Sequence, residues 1–362
     1  MVMIKSRNQS GGISLGLLIG LVVILIGGYA VYNYSLYQKF LQQPLNISMK
    51  GLEYTVPAGA SMRKIARELH EKGVLEKPVY LVFRARVKGV ANAIKVGEYK
   101  LTKGTTPDGL LDQLVKGKVK LYSLTLIEGW TFRDVMKAVN KHPQLRHTIV
   151  HQAGNAVMKT IGHAGEHPEG RFYPDTYRFP AGTRDIEFLQ RAYRHMSTVL
   201  NKAWAARVKG LPLKTPYEAL ILASIIEKET ARKDEYRKIA GVFIRRLKKK
   251  MRLQTDPTVI YGLGDSYNGN IQRKHLRKDT PYNTYTRSGL PPTPIALPGS
   301  QAISAALNPE SGESLYFVAT GKEGRHYFSR TLKEHNEAVI RYQLNGNHKR
   351  GFSSRPLPAK KR

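Results

Sequence analysis

Residues 215–230 read TPYEALILASIIEKET, and the organisation of the chain is read outward from them. Thr215 is a hydroxyl N-cap, Pro216 suits the first helical position, and Glu218 stands where it can close a capping box. From Ala219 to Ile226 the helix so begun is apolar nearly all round, so other elements must enclose it. It ends on Glu227, Lys228 and Glu229. A carboxylate there is desolvated and feels the negative pole of the helix dipole, and both effects favour its protonated form. That is how a general acid is made near neutral pH. Residues two apart on a helix point about 200° away from each other, so only one of the two glutamates can face a given cleft. Glu229 lies over Leu222, Ile225 and Ile226, whereas Glu227 lies over Leu220, Ala223 and Ser224. The bulkier face favours Glu229 as the buried one. The competing reading has both solvated and paired with Arg232 or nearby lysines.

Upstream, a short pattern recurs. Gly59-Ala-Ser61 precedes Ile65 and Leu69, Gly104-Thr-Thr106 precedes Leu110 and Leu114, and Gly129-Trp-Thr131 precedes Val135 and Val139. Each copy sets a turn glycine, a capping hydroxyl and apolar positions four apart on one helical face. The stretches before them, 52–56, 97–101 and 121–127, carry β-forming residues, so three strand-turn-helix starts are expected. The first two units resemble LysM-like glycan-binding modules; a plain α+β scaffold accounts for the same pattern. Residues 141–170 read as irregular. His147, His151, His163 and His167 fall in two pairs four apart, but neither pair has the Glu after its first His that a metalloprotease needs, so exposed polar histidines are expected and no metal site.

Composition narrows the class. The 362 residues predict roughly two or three domains at about 150 residues each, and 41% hydrophobic content argues against a mostly disordered chain. A formal net charge of +32 suggests attraction to something anionic: nucleic acid, lipid headgroups or an acidic polymer. With no Cys, thiolate chemistry, disulfides and Cys-based metal sites are excluded. From Ile13 to Tyr34 there is no charged residue, enough to cross a hydrocarbon core of about 30 Å, and Tyr29, Tyr32, Tyr34 and Tyr37 cluster at its end. A single membrane anchor is expected there. Lys5 and Arg7 before it nearly balance Lys39 and Lys50 after it, which leaves the orientation open. The basic residues are spread along the chain without a phosphate loop or an aromatic-basic RNA motif, so no specific nucleic-acid partner is expected.

Several unusual strings in order then carry a resemblance: EGRFYPDTYRF at 169–179, ASIIEKET at 223–230, RLQTDPTVIYGLGD at 252–265, YNTY at 282–285, GLPPTPIALPG at 289–299 and LYFVATGKEGRHYFSRTLKEHN at 315–336. The chain resembles the YceG-like family of endolytic murein transglycosylases. The resemblance implies an α+β protein: a short cytoplasmic N-terminus (1–12), a transmembrane anchor (13–34), a LysM-like region (46–140) and a mixed α/β catalytic domain (141–345) outside the cytoplasmic membrane. By composition, with Lys360, Lys361, Arg362, two prolines and little apolar content, a disordered basic tail is expected at 346–362. It also implies cleavage of MurNAc-GlcNAc bonds in nascent glycan strands to give 1,6-anhydro ends, in the role of a terminator of elongation. Glu229 is the implied catalytic carboxylate. No metal or cofactor is needed, since one carboxylate can serve where a hydrolase generally needs two. Glu227, Gln254, Thr255, Asp256, Tyr282, Asn283 and Tyr285 are candidate substrate contacts, with Asp175 a rival second carboxylate. Pro257 disfavours helix at the residue before it, so 252–256 is expected as a loop, and 289–299 as a rigid wall. The expected partners are glycan strands, the membrane and peptidoglycan synthases; the rival function is a non-catalytic glycan-binding scaffold.

Overall fold

The computed structural model describes residues 15–150, 152–321 and 323–344. The segments expected at 1–12 and 346–362 lie outside them, as does His151. Two compact units divide between Leu121 and Tyr122, so the region expected at 46–140 includes all of the first after its opening helix and the beginning of the second.

The first unit contains α1 (Leu15–Gln42), β1 (Leu52–Val56), α2 (Met62–Glu71), α3 (Pro78–Val87), β2 (Gly97–Leu101) and α4 (Pro107–Lys116). α1 runs for 28 residues, about 42 Å at 1.5 Å per residue. Among the described residues it is the helix long and apolar enough to cross a bilayer. β1 and β2 pair antiparallel, Tyr54 opposite Tyr99. Leu101 of β2 is fully buried, and with it Ile65, Leu69, Leu81, Leu110 and Leu114 from the helices. Tyr37, Phe40 and Leu41, at i, i+3 and i+4 in the last turns of α1, belong to the same core.

The second unit contains β3 (Leu121–Thr125) apart from its first residue, α5 (Phe132–Lys141), β4 (Leu145–Arg146), α6 (Gly154–Thr160), β5 (Thr176–Pro180), β6 (Thr183–Arg184), α7 (Asp185–Ala205), α8 (Pro216–Glu229), α9 (Tyr236–Lys248), α10 (Asp256–Leu263), α11 (Arg273–Arg277), α12 (Ser300–Leu307), β7 (Tyr316–Ala319), β8 (His326–Ser329) and α13 (Leu332–Tyr342). All sheets among the described residues are two-stranded: β3 pairs with β5, β4 with β6 in parallel, and β7 with β8 antiparallel. The fold is mixed α and β. The stretch expected to be irregular, 141–170, contains β4 and α6. Neither was legible, because a two-residue strand exists only through its partner and α6 has no side-chain cap.

Local chemistry sets the helix starts. The hydroxyls of Ser61, Thr106 and Thr131 accept from the backbone N–H groups of Lys64, Gly109 and Asp134, as the repeated pattern predicts. Thr215 accepts from the Glu218 N–H, but the Glu218 carboxylate reaches one residue further back, to the Lys214 N–H at 2.6 Å, so the expected box is not closed. α8 is buried from Ala219 to Ile226 and packs against α7, α9, α10 and α12. Its buried Ser224 is satisfied, donating to the Ile221 carbonyl and accepting from the Ile295 N–H. That second bond fastens 289–299 against α8, and Leu297 pairs with the Gly129–Trp130 turn through two backbone bonds of 2.8 and 2.7 Å. Gly170 sits under the same segment at φ +76, where an added Cβ would lie 2.5 Å from Pro294 Cβ. Gly170→Ala therefore combines left-handed strain with overpacking and is expected to cost about 2–4 kcal/mol, read as a lowered unfolding midpoint. An unchanged midpoint would show that the Pro294 segment yields freely.

Candidate active site

The buried helix α8 delivers its last residue, Glu229, into a cavity of about 590 Å³. The loop at 251–255 and the start of α10 form one side of the cavity; α11, Tyr285, β7, His326 and α13 supply the rest. Burial pushes the Glu229 carboxyl up to about 7, and the nearby Asp256 carboxylate pushes the same way. The Thr255 hydroxyl and the Arg246 guanidinium pull against them. Thr255 Oγ1 is itself buried without an aligned partner, so it opposes the shift by proximity to Glu229 rather than through a well-formed bond. A carboxyl at this value holds its proton about half the time at neutral pH and can both give and take one.

Arg246, on α9, organises the side of the cavity around this acid. It is almost fully buried. Its Nε donates to the Leu315 carbonyl at 2.6 Å, while one terminal nitrogen donates to the carbonyls of Arg252 and Leu253 at 3.0 Å each and to Gln254 Oε1 at 3.2 Å. The guanidinium also lies 4.9 Å from the centre of the Tyr316 ring. Burial lowers its pKa, yet an arginine keeps its charge. Gln254 has φ +53, a left-handed backbone uncommon for a non-glycine residue. It is held there by its N–H to the Thr284 carbonyl and by Arg246, which turns the amide nitrogen away from the guanidinium. Strain of this kind persists where surrounding bonds over-determine it, and it gathers at ligand-handling positions.

The sequence candidates separate into two groups. Gln254, Asp256 and Tyr285 line the cavity with Glu229, and Tyr285 donates its hydroxyl to Asp256 at 2.5 Å. Burial and that carboxylate raise the Tyr285 hydroxyl far above its ordinary value, so it remains a donor. Thr255 is buried just beneath. The others lie elsewhere. Glu227 turns to the opposite side of α8, accepting from the Tyr236 hydroxyl and the Gly299 N–H, both at 2.9 Å; burial raises its pKa too. Asn283 is buried with its amide nitrogen on the carbonyls of His275, Leu276 and Lys278 and its oxygen on the Tyr285 N–H, so it is bound into loop backbone. Tyr282 bonds Thr293 and meets Tyr261 edge-on at 4.9 Å. Asp175 lies 3.6 Å from His195, away from the cavity. The loop expected at 252–256 ends one residue early. Asp256 is the first residue of α10, because proline in a first turn needs no N–H and Asp favours the helix N-terminus.

Three cavity residues beyond the sequence candidates are Arg246, His326 and His335. His326 Nδ1 lies 2.7 Å from the buried Glu235, which also accepts the His326 N–H. His335 stacks on Tyr316 at 5.2 Å, and burial together with Arg246 lowers its pKa. Glu169, which no sequence rule singles out, is buried and pushed up to about 7, chiefly by burial. It lines a separate cavity, where it accepts from the Phe132 N–H and the Tyr261 hydroxyl and so ties α5 to α10. Among the described residues no group of three His, Asp or Glu side chains could hold a metal ion.

The YceG-like family matches residues 54–341, from within β1 to the last turn of α13. The chain belongs to the YceG-like family. Two relatives bear the name endolytic murein transglycosylase. The one from Bacillus subtilis (strain 168) is 31% identical over 343 residues, covering 90% of this chain and 93% of its own. The one from Streptococcus pneumoniae serotype 2 (strain D39) is 27% identical over 365 residues, covering 90% of this chain but 64% of its own. A crystal structure of a yceG-like protein from Listeria monocytogenes aligns with a TM-score of 0.51 and 29% identity, over 80% of this chain and 99% of that one. The YceG-like match takes in the first unit from residue 54 onward and the second as far as residue 341, with Glu229, Arg246, Gln254, Asp256, Tyr285, His326 and His335.

Proposed function

We propose that this chain is an endolytic lytic transglycosylase of peptidoglycan, with Glu229 as its acid and base. The observation that carries the proposal is a carboxyl raised to about 7 at the end of a buried helix, opening on a cavity; membership of the YceG-like family and the names of two relatives support the substrate class. Protonated Glu229 donates to the glycosidic oxygen between N-acetylmuramic acid and N-acetylglucosamine as the C1–O bond breaks. The resulting carboxylate then takes the proton from the muramoyl C6 hydroxyl as O6 closes on C1, which restores the acid and leaves a 1,6-anhydro end. Tyr285 and Asp256 hold their wall of the cavity, and Gln254 offers an oriented amide suited to the carbonyl of an N-acetyl group.

The same reading makes α1 a single-pass anchor with the rest of the chain on the outer side of the cytoplasmic membrane. It makes the first unit a LysM-like glycan binder, supported by its β1-α2-α3-β2 order and two-stranded antiparallel sheet. Action on nascent strands would end their elongation and would bring the chain alongside peptidoglycan synthases. The test incubates the detergent-purified full chain with uncrosslinked glycan strands and identifies the new ends by mass spectrometry. Anhydromuramoyl ends are expected. Reducing ends formed with water would overturn the transglycosylase step, and no cleavage would favour a glycan-binding scaffold. Glu227→Gln should give the same anhydro product, with stability lowered by about 1 kcal/mol, because an amide can still accept from Gly299 and donate to Tyr236. An inactive Glu227→Gln beside an active Glu229→Gln would exchange the two roles.

A further inference from the structure

α1 does not end where its exposed apolar surface ends. From Leu17 to Tyr34 most of its large apolar and aromatic side chains are exposed, whereas Tyr37, Phe40 and Leu41 are buried in the core of the first unit. The same unbroken helix therefore leaves the apolar stretch and enters the fold. One turn past Tyr34, about 4.5 Å along the axis, it is fastened to α3: Tyr37 meets Tyr80 and Phe83 edge-on at 5.6 and 5.5 Å, and Phe40 meets Tyr80 at 5.5 Å.

α3 is apolar on two sides. Leu81 and Ala85 are buried in the core, yet Val79, Phe83 and Val87, four apart and so on one stripe, are 74%, 53% and 62% exposed. A folded unit this well packed has no need of a second apolar stripe for its own stability. The charges around the stripe are mostly positive: Lys77 precedes the helix with exposed Glu76 before it, Arg84 and Arg86 lie in the helix, Lys88 follows it, and the helix itself holds no acidic residue. Asp108 pairs with Arg84 and Lys88 and leaves the helix with a basic excess.

We propose that α3 lies in the interfacial layer of the bilayer that α1 crosses, with Val79, Phe83 and Val87 among the upper acyl chains and its flanking cations against anionic headgroup phosphates. The inference rests on reading α1 as a membrane span. The occupant follows from position and charge: Phe83 of the stripe touches Tyr37, about one turn past the exposed apolar stretch of α1, and an apolar face edged by Lys and Arg is the pattern of an interfacial helix. The first unit is then held flat on the membrane at two places and cannot swing on a tether, which keeps it within reach of strands still close to the lipid surface.

The chain has no cysteine, so single labels can be introduced without background. Full-length Val79→Cys, Phe83→Cys and Val87→Cys, each carrying a nitroxide, would be reconstituted in vesicles of phosphatidylethanolamine and phosphatidylglycerol. Their accessibility to oxygen and to a water-soluble nickel chelate would then be compared. Ile24→Cys in α1 and Arg67→Cys on α2 serve as references. The expected result is preferential relaxation by oxygen at Ile24 and at all three α3 positions, and by nickel at Arg67. Nickel accessibility at the α3 positions equal to that at Arg67, with Ile24 in lipid, overturns the inference alone. Shielding of the α3 labels from both reagents, or dipolar broadening between them, overturns it in favour of a protein neighbour or a second copy. A water-accessible Ile24 overturns the anchor reading on which it stands.

Discussion

Glu229→Gln will leave a folded protein whose glycan cleavage is reduced by about a thousandfold, within the range that loss of a general acid removes. The amide fills the same volume at the end of α8 but has no proton to give to the leaving oxygen, and it cannot accept one from the C6 hydroxyl. The wild-type pH dependence follows from the same group: activity should fall as pH rises through about 7, where the proton is lost. Stability should move the opposite way in the variant. In the folded state the Glu229 carboxyl is raised from 4.5 to about 7. Between those values the folded protein holds a proton that the unfolded chain has released, so Glu229 makes stability fall as pH rises across that window. Glu169 has the same sign, being raised from 4.5 to about 7 as well. Glu227, also raised by burial, acts in the same direction, and replacing Glu229 with Gln removes one of these three penalties. At pH 8 the variant should be more stable than wild type by at most about 3 kcal/mol, less whatever water in the cavity screens, and the difference should vanish near pH 4. Denaturant unfolding at the two pH values, beside product analysis, checks both halves. A variant that is inactive and destabilised at pH 8 would make Glu229 a structural residue; an active one would remove it from the chemistry.

How much of this was legible before folding depends on how far apart the deciding atoms lie in the chain. The hydroxyl caps at Ser61, Thr106, Thr131 and Thr215 are settled within three residues and form as the sequence predicts, although the box expected at Thr215 does not close. The all-round burial of α8 follows from eight consecutive residues, and so does the raised carboxyl at its end. The facial argument separated Glu227 from Glu229 in direction, but not what each would meet. Glu227 finds Gly299 and Tyr236, and only the packing of the 289–299 segment brings that N–H to it. Tyr282 and Asn283 had the side chains of a sugar contact, yet their partners are Thr293 and the backbone at 275–278, which no local rule assigns. The far side of the cavity comes from 316–343, about ninety residues beyond Glu229. Arg246 was the largest omission. It sits in a run of basic residues that reads as a solvated helix face, and only the tertiary fold turns this one inward.

Arg246→Met should therefore have the second large effect, and its conservative counterpart separates the two things the guanidinium does. Methionine removes the donor that serves the carbonyls of Leu315, Arg252 and Leu253 and the Gln254 side chain. Buried acceptors left without donors cost about 1–3 kcal/mol each, not additively, so a total loss of about 3–5 kcal/mol is expected. Gln254, no longer held at φ +53, should relax toward an ordinary backbone, and the side of the cavity nearest Glu229 loosens with it. The charge has a separate consequence. Arg246 pulls the Glu229 carboxyl down, so its removal lets burial and Asp256 raise that carboxyl further. The basic limb of the kcat/KM profile should then move to higher pH even as kcat falls. Arg246→Lys keeps the cation but not the planar fork, and one ammonium cannot bond Leu315 on one side and the 252–254 loop on the other. It should restore the position of the basic limb while leaving most of the stability loss. A wild-type unfolding midpoint in Arg246→Lys would show that charge alone holds the loop. An unmoved basic limb in Arg246→Met would show that the guanidinium acts on the loop and not on the acid.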